Sequence, residues 1–327
     1  MNEKNNLELV PRPPSALEIA EPRAKRILAG MVADALALAC VDLDALVAEG
    51  KRIQLRQGML LEDIQAFDLF HRAAAAGHSE AQLLLYECYL NGHGVRENLA
   101  KALEWFHLSA ASGFAKAQCR LGDFYQGTQD HVESVKWYRK AAEQGDTGAQ
   151  CSLGLCYYDG EGVPQNYNEA VRWYRKAAEQ GDAMAQHNLA CCYEEGEGVA
   201  QNHTEAAKWF RKAAEQGYAA AQNNLGYLYY CGQGVPPDYK EAVKWYRKAA
   251  GQGDESAQNN LGVCYAYGKA VIEDRVEAYQ WLKLAEANGF ERAAQKAAEI
   301  EVLMSPEEFQ EAGRRYRELV QARNGEP

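Results

Sequence analysis

His187 and Cys191 stand four residues apart, one turn of a helix, and Cys151 precedes His187 by 36 residues. An imidazole and two thiols are the soft donors that hold zinc or copper. Cys151, His187 and Cys191 are therefore the chain's candidate metal ligands. The trio lacks an evident fourth ligand. Its third donor would have to come from a neighbouring helix, about 8–10 Å away, which is wide for short side chains. Other reactive chemistry is missing from the sequence. The loops Gly92-His-Gly94-Val95, Gly160-Glu-Gly162-Val163, Gly196-Glu-Gly198-Val199 and Gly232-Gln-Gly234-Val235 have no Gly-Lys-Ser/Thr after them, which a phosphate loop needs. There is neither a G-x-S-x-G nor an H-E-x-x-H, and paired acids fall at helix caps. No cofactor is expected, and the chain reads as non-catalytic.

A second kind of chemistry is amide and phenol. At one helical spacing the sequence carries Ser152 and Leu155, then His187 and Asn188, then Asn223, Asn224, Tyr227 and Tyr230, then Asn259, Asn260, Val263 and Tyr267. A solvated helix face is rich in Lys and Glu; this stripe has neither. Asn donates to and accepts from a peptide backbone, and Tyr gives contact area at low entropic cost. The stripe is the candidate partner-binding groove, for a protein or an extended peptide. Two alternatives stand beside it. The Asn side chains could bond within the scaffold, or the protein could be a small-molecule- or metal-responsive regulator.

The elements that must position these residues are repeats. KWYRKAAEQG at 136–145 returns as RWYRKAAEQG, KWFRKAAEQG and KWYRKAAGQG, each 36 residues on. The six Trp (105, 137, 173, 209, 245 and 281) are spaced by 32 once and by 36 thereafter, which predicts one core anchor per unit. In 218–253, Ala221, Leu225 and Tyr229 recur every fourth residue and define a first helix. Gly232 and Gly234 end it. Asp238 with Glu241 reads as a capping box, and Ala242, Trp245, Ala249 and Ala250 face inward from a second helix. Such a unit cannot bury its face alone and must stack on neighbours. The Arg-Lys pairs of the second helix, such as Arg175-Lys176, read as a solvated face balanced by Glu143, Glu179 and Glu215.

The pattern A-Q-x-x-L-G-x-x-Y-x-x-G-x-G-V followed by A-x-x-W-Y-x-x-A-A-x-x-G resembles the Sel-one-like repeat (SLR) family, relatives of the tetratricopeptide (TPR) repeats. The resemblance implies an all-α, right-handed α-solenoid. It also implies a scaffold or adaptor for protein–protein interaction, often bacterial, whose first helices line a concave groove. The expected organisation is a disordered tail over 1–20, a capping helix over 21–41 and a degenerate repeat over 42–77. Six clear repeats follow over 78–289 (78–113, 114–145, 146–181, 182–217, 218–253 and 254–289), then a capping helical hairpin and tail over 290–327. In the degenerate repeat Gly58-Met59 replaces Gly-Val.

With 35 Lys+Arg against 46 Asp+Glu, the net charge of −11 disfavours nucleic acid and anionic membrane surfaces. No apolar run is long enough for membrane insertion. Nine Cys, four of them (88, 156, 192 and 264) at one repeat position, read as reduced core residues of a cytoplasmic protein. The stretch 23–40, basic then apolar then Cys40, keeps export as the alternative. Partner identity and oligomeric state are not encoded in any motif.

Overall fold

The computed structural model describes residues 42–54 and 60–324, and among these every regular element is an α-helix. The expected tail and capping helix over 1–41, and Gly58-Met59, lie outside the described residues. Consecutive helices pair off as α1 (Leu43–Gln54) with α2 (Leu60–Ala75), α3 (Ser79–Asn91) with α4 (Leu99–Ala111), and α5 (Ala115–Gly127) with α6 (His131–Glu143). Then come α7 (Thr147–Asp159) with α8 (Tyr167–Glu179), α9 (Ala183–Glu195) with α10 (His203–Glu215), α11 (Ala219–Cys231) with α12 (Tyr239–Gly251), and α13 (Glu255–Ala266) with α14 (Arg275–Ala287). The last two, α15 (Glu291–Glu301) and α16 (Pro306–Asn324), both lie against α14. This is the helix-pair packing of an α-solenoid. The chain divides into two compact units within α7, between Ala149 and Gln150.

Helix boundaries follow from capping. Asn98, Asp130, Asn166, Asn202, Asp238 and Asp274 each accept a backbone N–H from the first turn of the second helix. The capping box expected at Asp238 and Glu241 does not close, because the cap's own N–H already donates to Tyr229 O, 2.9 Å away. Glu241 instead pairs with Lys244 at 3.0 Å. A box does close at Ser305 and Glu308, with bonds of 2.8 and 3.1 Å. In the loop, the second glycine of G-x-G has a structural reason. Gly234 has φ +70°, and a Cβ there would lie 2.2 Å from His203 O, so the loop rests directly on the start of the preceding second helix.

The deepest anchor is the residue after the Trp. Trp173 and Trp245 are 5% and 7% exposed, while the other four Trp are half-buried. Tyr174, Phe210 and Tyr246 are at most 2% exposed. Each of these rings fills the space left by a small residue on the paired first helix. A Cβ on Gly154 would fall 2.6 Å from the Tyr174 ring, and one on Gly226 would fall 2.8 Å from Tyr246. Where the ring is Phe210, the opposing residue is the buried Ala190. Gly50 and Phe70 repeat the contact at 2.5 Å, which fixes the register of the degenerate repeat. Tyr86 breaks the rule by stacking on Phe106, with ring centres 4.8 Å apart.

A buried amide relay then joins the repeats. Gln222 Nε2 donates to Ala214 O of the preceding repeat at 3.0 Å, and its Oε1 accepts from Gln252 at 2.8 Å. Gln186 does the same with Ala178 and Gln216, and Gln118 with Ala110 and Gln144. In 78–113 the donor is replaced by Ser112, and Gln82 Oε1 is buried without a partner.

Two outcomes follow for stability. Gly226→Ala should lower it by about 1–3 kcal/mol through overpacking, and adding Tyr246→Phe, which recreates the Ala190–Phe210 pair, should recover part of the loss; thermal unfolding of the single and double variants checks this. Ser112→Gln should supply the missing donor to Gln82 and raise the urea midpoint, by about 1 kcal/mol in stability. An unchanged or lower midpoint would mean that the orphaned oxygen does not limit this repeat.

Candidate functional site

In the second unit the first helices α9, α11 and α13 are tied side to side by a row of side-chain bonds. Asn259 Nδ2 donates to Asn260 Oδ1 at 3.3 Å, and Asn260 Nδ2 to Asn223 Oδ1 at 3.0 Å. Asn223 Nδ2 donates to Asn224 Oδ1 at 3.3 Å, and Asn224 Nδ2 lies 3.4 Å from His187 Nε2. His187 Nδ1 lies 3.1 Å from Asn188 Oδ1. Asn and His of the predicted stripe thus form one ladder across three repeats. The bonding within the scaffold that the sequence left open is realised. Each amide NH₂ has two N–H groups, and the ladder uses one of them. Ser152, one repeat earlier on α7, makes none of these bonds. Asn259 is 7% exposed, and its Oδ1 has no partner.

The ladder also fixes the state of His187. Its Nε2 faces an amide donor and its Nδ1 faces an amide oxygen, so the neutral ring with the proton on Nδ1 satisfies both. Burial between the rings of Phe210 and Tyr218, 5.5 and 5.2 Å away, lowers its pKa below the ordinary 6.5, against a smaller opposing effect of Asn188.

The candidate metal trio does not assemble. Cys191 Sγ sits 3.7 Å from His187 Nε2, but that nitrogen is engaged by Asn224. Cys151 turns to Asp182 instead, and burial pushes both thiols up to about 12, so they hold their protons. Among the described residues no group of three His, Cys, Asp or Glu is placed to hold a metal ion.

Outside the ladder, the first helices of this unit, α7 included, present apolar side chains to solvent. Leu155, Met184, Tyr227 and Tyr267 are 44–64% exposed, and Val263 and Tyr230 are half-buried, the latter edge-on to Tyr239 with ring centres 5.1 Å apart. Met184 was not singled out from the sequence; its place one turn before His187, on a helix without charge until Glu194, was the available signal. The first unit has a different surface at the corresponding places. Arg120 pairs with Glu87 at 2.7 Å, and Lys51 with Glu80 at 2.6 Å.

The second helices hold their cations in two ways: Lys136, Arg172, Lys208 and Lys244 each pair with the Glu three residues before them, and Arg-Lys pairs such as Arg175-Lys176 make aromatic contacts. Lys140, Lys176, Lys212 and Lys248 sit 3.8–4.1 Å from the centres of the Trp rings one turn back. Arg175 and Arg247 donate to Tyr193 and Tyr265 of the next repeat at 3.0 and 2.8 Å, and Arg211 donates to Tyr229. A cavity of about 430 Å³ on this side is floored by Trp209, Ala207 and Val235, and its rim cations Lys212 and Arg211 are among those already engaged.

The Sel1 repeat model matches residues 58–78, 79–114, 115–146, 147–182, 183–218, 219–254 and 255–290. The chain is similar to a Sel1 repeat protein from Oxalobacter formigenes, with 33% identity over 73% of this chain and 96% of that one and a TM-score of 0.64. It is also similar to c5321, a protective antigen present in uropathogenic Escherichia coli strains that displays an SLR fold. There the identity is 30% over 91% of this chain and 72% of that one, with a TM-score of 0.60. No curated protein matches the chain. No described helix is long and apolar enough to cross a membrane.

His187 makes the ladder sensitive to pH, and the sign follows from its lowered pKa. Its stabilising effect is complete above about pH 6.5, the unfolded value, and is lost as pH falls through the lower folded value. His187→Asn installs the residue found at 223 and 259, keeps a donor and an acceptor, and removes the titration. Relative to this variant, the wild type should lose on the order of 1 kcal/mol between about pH 7 and pH 5, measured by urea unfolding at fixed pH values. Parallel pH profiles would show that His187 does not titrate in this window.

Proposed function

The chain belongs to the Sel1-repeat family, and from that premise we propose that it is a non-catalytic scaffold that holds a partner protein through an extended segment laid along the first-helix face of residues 150–289. Sel1-repeat proteins generally act as protein-interaction scaffolds. One observation carries it: large apolar side chains (Leu155, Met184, Tyr227 and Tyr267) stand exposed beside a ladder of amides on helices that otherwise need polar surfaces. Exposed Tyr next to unused amide N–H groups is the combination that grips a main chain while packing its side chains. The first unit, whose corresponding positions are closed by ion pairs, serves the array as structure. The working compartment is the cytoplasm, a reading supported by the cysteines of the described residues, eight in number, all free and most of them buried.

The test uses the full chain as bait. The variant Leu155→Ser, Tyr227→Ala, Tyr267→Ala changes only exposed side chains and should retain the helical circular dichroism signal and melting temperature. Its recovery of the partner captured by the wild type should fall at least tenfold, since three contacts at roughly 0.5–1.5 kcal/mol each exceed the 1.4 kcal/mol that a factor of ten needs. A control variant on the opposite side, Lys176→Ala with Lys248→Ala, should capture normally. The reverse pattern would move the binding surface to the second helices.

A further inference from the structure

Two residues before the Trp of each second helix the chain places a large side chain: Leu103, Val135, Val171, Val243 and Tyr279. The repeat 182–217 has Ala207 at that position. Val171 and Val243 are buried in the same clusters as Val199 and Val271, the apolar residues of the loops that follow. Ala207 shares its cluster with the loop residue Val235 but lacks the two outer methyl groups of a Val. Beside it Trp209 is only half-buried, whereas Trp173 and Trp245 are almost covered. The missing methyl groups open the floor of the cavity of about 430 Å³, which is made by Ala207, Trp209 and Val235. That volume falls in the range of about 300–1,000 Å³ in which proteins hold small molecules.

The rim supplies charge. It carries three cations, Lys208, Arg211 and Lys212, against two carboxylates, Glu205 and Glu215. Lys208 is committed to Glu205 at 2.6 Å, and Glu215, one turn beyond Arg211, is exposed. Arg211 and Lys212 have uncharged partners, the hydroxyl of Tyr229 and the ring of Trp209. A neutral partner aims a cation without cancelling its charge. The guanidinium also has five N–H donors in a fork that matches a carboxylate, and the bond to Tyr229 uses one of them.

We propose that this cavity binds a small carboxylic acid with an apolar body. The body lies on Ala207 and Trp209, in the space of the missing methyl groups, and the carboxylate meets Arg211 and Lys212. A bare inorganic anion would give up its water against three apolar side chains, and an amine would meet like charge at the rim. The cavity is built by α10 and the loop leading to α12, so its occupant ties two adjacent repeats together. Its occupancy does not depend on a partner held along the first helices.

The probe is phenylacetate, whose size of about ten non-hydrogen atoms gives a dissociation constant on the order of a millimolar. Binding to the full chain is read by isothermal titration and saturation-transfer NMR, with the neutral phenylacetamide and the cationic phenethylamine as comparisons. Phenylacetate should bind, weaken as salt rises, and exceed the amide by at least about fivefold in affinity. The amine should not bind. Ala207→Val installs the residue of the neighbouring second helices and should weaken phenylacetate at least about tenfold while the circular dichroism signal and melting temperature hold. Arg211→Gln with Lys212→Gln, which changes exposed side chains only, should have a similar effect. In the Ala207→Val background, Val171→Ala should restore binding one repeat earlier, because Trp173, Arg175, Lys176 and Val199 repeat the remaining groups. No binding of phenylacetate at about 10 mM overturns the proposal. An unchanged affinity in Ala207→Val overturns the placement, and equal binding of the amide, or an unchanged affinity in the Gln pair, overturns the role of the two cations. Failure of Val171→Ala to restore binding in a folded chain shows that the missing methyl groups do not make the site.

Discussion

The structure depends on a bare stretch of backbone. In most repeats one residue of the first helix, Gly154 or Gly226 for example, has no side chain, and the ring of the second helix occupies the space a Cβ would take. That contact sets how close the two helices come and which turn of one meets which turn of the other. Everything lateral follows from this register. The buried Gln of each first helix reaches the carbonyl of the repeat before it, and the Asn pairs come within hydrogen-bond reach across neighbouring first helices. Interiors are close-packed and give little when one group changes size, so the small residue and the ring are changed as a pair, as at Ala190 and Phe210.

Much of this was legible in the sequence because it is local or periodic. The repeat frame, the cap at Asp238, the glycine stops and the non-reactive character of the loops needed only spacing and residue type. Three features were not legible, for physical reasons. Trp attracts attention by size, yet its exposed edge is where Lys rests; the smaller Tyr174 or Phe210 is deeper because it faces the small residue of the first helix, Gly154 or Ala190. Nothing local in Ala221-Gln222-Asn223 signals burial, and only the tertiary neighbours reveal that Gln222 is buried with both ends bonded. The Glu at 241 was correctly placed in the first turn, but its expected partner, the cap N–H, was already taken by Tyr229 from another helix.

The candidate face was legible as a composition, an uncharged stripe where charge is normal. How its amides pair was not, since that depends on the distance between helices. The pairing changes the meaning of the stripe: the amides order the surface, and the exposed Leu155, Met184, Tyr227 and Tyr267 provide what a partner would touch. The division between the two units follows the same line. Where Arg120 stands at the position of Asn188 and Asn224, and Glu87 at that of Leu155 and Tyr227, the surface satisfies itself.

The unpaired oxygen of Asn259 marks where this ladder stops. Within the array, the acceptor at the corresponding place, Asn223 Oδ1, is met by the amide of the following repeat, Asn260. After Asn259 the corresponding residue is Lys296 on α15, and the chain of amides ends. A 36-residue duplication of 218–253 inserted at this point would bring its own Asn pair, meet the waiting oxygen and present a new one of the same kind. The edge is therefore self-templating. Such an array can lengthen or shorten by whole units during its history without rebuilding any junction, and its first-helix face would change in equal steps.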